Sequence, residues 1–324
     1  MMSKKRWVLI LVIVLLVVAL GGIGSVYFGV VEQPRARDVF DAPIVGDFVK
    51  EPEVDVVSAS WGEITEEESE LIVGVRVDNP NPVGLVFGDL LVEYDVSMND
   101  VLMDSGVERD IELGSGVQRI NFSVYLNNSR MDKWWVSHLE NDELTVISFS
   151  PRVVLDFGFR SFSFDVPVFT REFSTDLLER FNREVYKEVR VLDTTVLVVN
   201  ETRASWGEVS GDESVIDMEW VVDNPNSFDV PLKELRFDLF MNGVKVGEGS
   251  SENISLESGR NVVDGSLVID NSKMGEWWVS HLRNDSVSSV RVEVSGVVGL
   301  FGEEFEVGVG SYSDSFETDL VGEF

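Results

Sequence analysis

The sequence predicts two tandem, mainly β domains of the sandwich type, each with one inserted helix, behind an N-terminal transmembrane helix. Three observations predict it: a long repeat, strand-like alternation of apolar residues, and an uninterrupted apolar run near the start. The repeat is the plainest. Ser60-Trp61-Gly62-Glu63 returns as Ser205-Trp206-Gly207-Glu208, and Asp78-Asn79-Pro80-Asn81 returns as Asp223-Asn224-Pro225-Asn226, both at an offset of 145 residues. Trp134-Trp135-Val136-Ser137-His138-Leu139 then returns as Trp277-Trp278-Val279-Ser280-His281-Leu282 at an offset of 143, as does Thr175-Asp176-Leu177 in Thr318-Asp319-Leu320. A single two-residue length difference aligns the whole unit. Each copy is long enough to bury a core of its own, so the pattern is a duplicated domain and not a short-period solenoid.

Within a copy, Leu90, Val92, Tyr94, Val96 and Met98 alternate, as do Leu235, Phe237, Leu239 and Met241, and Phe162, Phe164, Val166 and Val168. A period of two marks strands with one buried face. Asn242-Gly243 between two such runs predicts a tight hairpin, with Asn99-Asp100 in the matching place. One segment departs from this period. Met131, Trp134, Trp135, His138 and Leu139 stand at helical spacing, repeated in Met274, Trp277, Trp278, His281 and Leu282. Asn128 or Ser129 is the expected cap of the first helix. Short antiparallel strands joined by turns point to a sandwich.

The apolar run occupies residues 7–28 and holds no charged residue, long enough to cross a bilayer as a helix. Lys4, Lys5 and Arg6 precede it, so residues 1–6 are expected in the cytoplasm and the rest outside, a single-pass cell-membrane protein. A cleaved signal peptide is the competing reading, but the run is longer than a signal core and no small-residue cleavage site follows. Residues 31–49 carry Pro34 and Pro43 and read as a stalk. The expected domains are 50–178 and 191–324, joined by a linker at 179–190.

The chain of 324 residues carries 58 acidic against 26 basic residues, a net charge of −32. Such a surface repels nucleic acid. It suits a protein kept soluble in concentrated salt, where screening removes self-repulsion, and the choice of Arg over Lys leans towards a halophilic, archaeal source. Cysteine is absent, which removes disulfides and thiolate metal sites.

The extended start, the strand ending in Asn79-Pro80-Asn81, the following helix and the closing strands together resemble the water-stress and hypersensitive-response (WHy) domain of late embryogenesis abundant proteins. The second copy is similar through Asp223-Asn224-Pro225-Asn226 and through the segment beginning at Arg291. The resemblance implies a fibronectin type III-like sandwich, an association with desiccation and stress, membrane-anchored members, and no catalytic residues.

Asn79, Pro80, Asn81 and Asn224, Pro225, Asn226 read as a structural turn motif, since proline excludes its predecessor from helical space and Asn closes turns. Trp134, Trp135, His138, Trp277, Trp278 and His281 are candidates for contact with a ligand or partner, against the simpler reading that they pack the helix on the sheet. A zinc site needs three or four ligands, and two histidines in separate copies do not supply it, so no metal and no cofactor are expected. Asn121, Asn127, Asn200, Asn253 and Asn284 begin N-glycosylation sequons. No P-loop, nucleophile elbow or zinc-protease motif occurs. The expected function is that of a non-enzymatic, membrane-anchored water-stress protein. The alternatives are a module binding a lipid or other envelope component between the sheet and the tryptophan-bearing helix, and a structural spacer or assembly subunit. The oligomeric state is left open.

Overall fold

The computed structural model describes residues 53–80, 89–109, 111, 114–156, 161–191, 193–300, 302–318 and 321–323. The basic tail at 1–6, the apolar run at 7–28, the stalk at 31–49 and Asn81 lie outside the described residues. Among the described residues no helix is long and apolar enough to cross a membrane.

The chain is mainly β. Its first part runs β1 (Glu53–Ile64), β2 (Glu68–Asn79), β3 (Asp89–Met98), β4 (Val101–Glu108), β5 (Gly116–Asn127), a 3-10 turn (Asn128–Arg130), α1 (Met131–Glu140), β6 (Leu144–Asp156), β7 (Ser161–Asp165) and β8 (Phe169–Ser174). A short helix, α2 (Leu177–Phe181), and β9 (Arg183–Val191) follow. The second part runs β10 (Thr194–Val209), β11 (Glu213–Asn224), β12 (Val230–Met241), β13 (Val244–Leu256), β14 (Gly259–Asp270), a 3-10 turn (Asn271–Lys273), α3 (Met274–Arg283), β15 (Val287–Leu300), β16 (Glu303–Glu317) and β17 (Gly322–Glu323). The same order of elements thus occurs twice, with the helix in the same place each time.

Alternation is realised as buried faces. Val92, Tyr94, Val96 and Met98 are buried on β3, and Leu235, Phe237, Leu239 and Met241 on β12. The β12–β13 hairpin turns through Asn242 (φ 49°) and Gly243 (φ 83°), the left-handed pair a tight hairpin requires. The Asn242 side chain then accepts from the Ser289 amide at 2.8 Å, as Asn99 accepts from Val146 at 2.9 Å. Each turn is therefore tied to the strand that follows the helix. The first helix starts at Met131, one or two residues later than an Asn128 or Ser129 cap implies. A 3-10 turn precedes each helix, and its cap is Asn127 or Asp270, whose side-chain oxygen accepts from the amide two residues on.

Strand order is β17-β1-β2-β5 and β4-β3-β6-β7 in the first part, with β8 also on β6. In the second part all eight strands join, in the order β16-β15-β12-β13-β14-β11-β10-β9. The join is narrow: β13 and β14 pair only through Gly247↔Ile269, Glu248↔Val268 and Gly249↔Leu267. Glycine is what permits it. A Cβ on Gly249 would stand 2.1 Å from the Ser266 carbonyl oxygen, and one on Gly247 2.7 Å from that of Val268. Asp104 occupies the place of Gly247 in the first part. Its carboxylate accepts from the Tyr125 amide at 3.2 Å, so a side chain bridges where the main chains do not approach. The first part consequently keeps two separate sheets, while the second bends into a near-barrel whose end strands β9 and β16 lie side by side without pairing.

Core volume is redistributed between the two parts. Trp220 on β11 stacks on Phe237 of β12 at 4.5 Å and 10°, and Gly265 on β14 makes room for the indole, since a Cβ there would meet it at 2.9 Å. The matching positions of the first part hold Val75, Phe122 and Tyr94, all buried. The large residue has moved from one inner strand to its neighbour, which keeps the layer filled.

Residues 179–190, expected as a linker, are the end of α2 and most of β9. β9 pairs with β10 from Thr194↔Val191 to Thr202↔Arg183. Reciprocally, β17 pairs with β1 through Ser58↔Glu323 and Ala59↔Gly322. Each part therefore sends its closing segment to the first strand of the other. Replacing Gly249 by Val is expected to cost roughly 1–3 kcal/mol through backbone overlap, read as a lower urea midpoint. Gly106→Val, which meets only the Tyr94 side chain, is expected to cost less.

Candidate functional site

The two helices meet. The adjacent tryptophans of α1 and α3 point to two sides of one stripe, and both sides are covered by the other half of the chain. Trp134 stacks on Trp277 at 6.1 Å and 13°, and lies edge-on to Trp278 at 5.2 Å. Trp61 of β1 meets Trp278 edge-on at 6.0 Å, and Trp206 of β10 meets Trp135 edge-on at 6.2 Å. Six of the eight tryptophans thus form one seam. Trp134, Trp135, Trp277 and Trp278 are each at most 1% exposed. An indole buries about 150–250 Å², or roughly 4–6 kcal/mol of gross transfer energy per ring. The partner of these residues is therefore the matching helix, and they present no open surface.

His138 and His281 sit beneath the seam, fully buried. His138 places Nδ1 2.8 Å from Thr145 Oγ1 and Nε2 2.9 Å from Thr175 Oγ1. The proton positions follow from the neighbours. Thr175 donates its hydroxyl to Glu143 Oε2 at 2.9 Å, so it accepts from Nε2–H. Trp134 Nε1 donates to Thr145 Oγ1 at 2.9 Å, leaving that hydroxyl to donate to Nδ1. The chain Trp134–Thr145–His138–Thr175–Glu143 runs in one direction and requires a neutral imidazole. In the second half Trp277 Nε1 donates to Ser288 Oγ at 2.8 Å, and His281 lies 2.9 Å from Ser288 and 2.7 Å from Thr318. Burial pushes His138 down to about 3 and His281 down to about 4.

Glu143 joins the halves. It lies in a left-handed loop after α1, with Asp142 at φ 53° and Glu143 at φ 59°, and is 6% exposed. Its carboxylate accepts from Thr175 Oγ1, from the Leu177 amide, from the Leu178 amide at 3.1 Å and from Trp206 Nε1 at 3.0 Å. Those four donors account for a buried acid held in an unfavourable backbone region. Ser286 stands in the same loop of the second half, at φ 59°. Its hydroxyl and Trp61 Nε1 are both buried without a hydrogen-bond partner. One half thus carries a carboxylate clasp on its neighbour's tryptophan, and the other keeps the loop but not the clasp.

The remaining sequence candidates lie apart from the seam. Asn79 donates to the Gly114 carbonyl at 2.8 Å. Asn224 donates to the carbonyls of Phe228 and Leu256 at 2.8 and 3.0 Å and accepts from the Asn226 amide at 2.9 Å, while Pro225 is exposed. Of the sequon residues, Asn121, Asn253 and Asn284 are exposed. Asn127 caps the first 3-10 turn, Asn200 donates to Asp223 at 2.8 Å, and Asn284 donates to the Val287 carbonyl at 2.8 Å. Among the described residues no group of three or more His, Cys, Asp or Glu side chains can hold a metal ion. Glu143, Thr145 and Ser288 were not singled out from the sequence. Thr175, Thr318, Trp61 and Trp206 lay inside the repeated motifs, and their recurrence beside the histidine helix was the available signal.

Two predictions follow from this network. Glu143→Ala strands four donors and is expected to cost roughly 3–5 kcal/mol, whereas Ser286→Ala, which removes an unpartnered hydroxyl, is expected to change stability by less than about 0.5 kcal/mol; urea unfolding of both variants checks the contrast. Both histidines titrate lower folded than unfolded, so the unfolded chain binds more protons below pH 6.5. Stability is then full above that pH and falls as pH drops towards 4, by about 2 kcal/mol per histidine at pH 5. In molar salt, where carboxylate repulsion is screened, urea midpoints between pH 6.5 and 5 should show this slope, and His138→Gln should reduce it to about half, the share left to His281.

No protein of curated function matches the chain. Among solved structures, a protein from Archaeoglobus fulgidus is 25% identical, covering 38% of this chain and 98% of its own, with a TM-score of 0.35. A protein from Arabidopsis thaliana is 13% identical, covering 39% of this chain and 83% of its own, with a TM-score of 0.31. Residues 221–309, from β11 to β16, match the family described as late embryogenesis abundant protein (LEA_2), and that is the family to which this chain is similar.

Proposed function

We propose that the chain is a non-enzymatic, water-stress-related protein of the cell membrane. In this reading residues 7–28 anchor it, and residues 50–178 and 191–324 are two WHy-like sandwiches on the outer face. The observation that carries the reading is the late embryogenesis abundant match over residues 221–309. The internal repeat extends it, since the same order of strands, 3-10 turn and helix precedes the match in the first half. The seam adds support of a different kind. Its histidines are held by hydroxyls on both ring nitrogens and its tryptophans are taken up in packing, so the most chemistry-laden motif of the sequence serves rigidity.

The acidic surface gives this reading a mechanism. With a net charge of −32, the pair of sandwiches gathers cations and their hydration water at the membrane face. A rigid fold keeps those charges displayed as water is withdrawn. Deleting the gene is expected to lower survival of drying and of osmotic shock, with rescue by the full chain but not by one lacking residues 7–28. Equal survival of deleted and intact strains would remove the proposal's support.

A further inference from the structure

The second half holds a cavity whose lining includes none of the seam tryptophans. Its volume is about 420 Å³, within the roughly 300–1,000 Å³ usual for small-molecule sites. It arises from topology. The eight-stranded sheet bends round until β9 and β16 run side by side, yet they do not pair, and the gap between them opens into the space between the layers. The floor is apolar, with Leu197, Trp220, Val222, Leu235 and Val263 all buried and all lining the space. A bulge opposite Val294 and Ser295 places Val309 in the lining. Bulges beside sites re-aim side chains in this way.

The mouth is different in kind. Arg183 and Lys187 of β9 stand on it, with Glu184 between them. Arg183 stacks over the Tyr312 ring, its Cζ 3.5 Å from the centroid. A Cβ on Gly310, at φ 149°, would stand in ordinary contact with the Lys187 chain, 3.4 Å from its Cε. Among the described residues neither cation makes an ion pair, although acids outnumber bases by 58 to 26. An apolar interior under two cations that no carboxylate neutralises, one of them stacked on Tyr312, matches a molecule with an alkyl chain and a negative head.

We propose that this cavity binds a single-chain anionic amphiphile, with its alkyl chain over Trp220 and Leu235 and its head on Arg183 and Lys187. The site is independent of the seam and of the water-stress reading. Its test uses the full chain in nonionic detergent with a dodecanoate that carries a terminal diazirine, and the cross-links are mapped by mass spectrometry. Mapping separates the cavity from uptake by the apolar run at 7–28. Labelling is expected on β10, β11 and β14. Arg183→Glu with Lys187→Glu, both exposed, should cut it at least tenfold there while leaving labelling elsewhere unchanged. Val309→Trp, at the mouth, should block it. Unlabelled dodecanoate or dodecyl phosphate should compete, the stronger of the two naming the head group. Absence of cavity cross-links, indifference to the charge reversals, or equal competition by dodecanol would overturn the proposal.

Discussion

Everything in this structure turns on one burial requirement. Each half presents a helix whose two adjacent tryptophans face opposite sides of a stripe, and neither half offers a surface of its own to cover both. The requirement is met only by setting the two helices against each other, with Trp61 and Trp206 closing the flanks. From that follow the approach of the halves, the crossing of their closing segments, and the placement of polar groups under the seam. A buried indole N–H gains from an acceptor. Thr145 and Ser288 supply one for Trp134 and Trp277 and Glu143 for Trp206, while the indole N–H groups of Trp61, Trp135 and Trp278 have none. Each acceptor needs a further acceptor in turn, and this fixes each histidine as a neutral relay between two hydroxyls. The polar network is a consequence of the aromatic one.

The two halves meet this requirement unequally, and the differences are chemical. Where the second half brings two strands together through Gly247 and Gly249, the first spans the gap with Asp104. Where the first holds its neighbour's tryptophan with Glu143, the second has Ser286. Only the second half bends far enough to bring its end strands alongside each other and leave a slot between them. One recurring order of elements thus carries two different interiors. The ion pairs contribute little to this contrast. Arg203 with Glu201 and Glu219, Arg236 with Glu234, and Lys245 with Asp238 are exposed, cross-strand or near neighbours on one face, worth about 0–1 kcal/mol each and less in salt.

Much of this was legible in the sequence because period is a local property. The alternation on β3 and β12, the Asn242-Gly243 turn and the helical stripes around Trp134 and Trp277 all appear where spacing placed them. Other features were not legible, for physical reasons. A stripe says that a helix face is buried but not by what, so the tryptophans suited a ligand as well as a second helix. The cap moved to Asn127 because a 3-10 turn has no periodic signature of its own. The segment 179–190 reads as a linker, helix or continued strand alike, and its pairing with β10 decides for the strand over most of it. The cavity is the least local feature of all: its lining comes from strands widely separated in the chain, and its existence depends on a pairing that fails to form.

The crossing of the closing segments sets a timetable for the nascent chain. β1 is the first of the described strands, yet its edge at Ser58 and Ala59 is completed by Gly322 and Glu323. Contacts of such separation form late, because the intervening loop must close before they gain anything. A half-made chain therefore waits with Trp134 and Trp135 uncovered and the outer edge of β1 open, the two features that most invite wrong partners. Synthesis is itself vectorial and presents the halves in that order. The dense negative charge is already in place along the waiting half, and mutual repulsion between unfinished chains gives the second helix time to arrive.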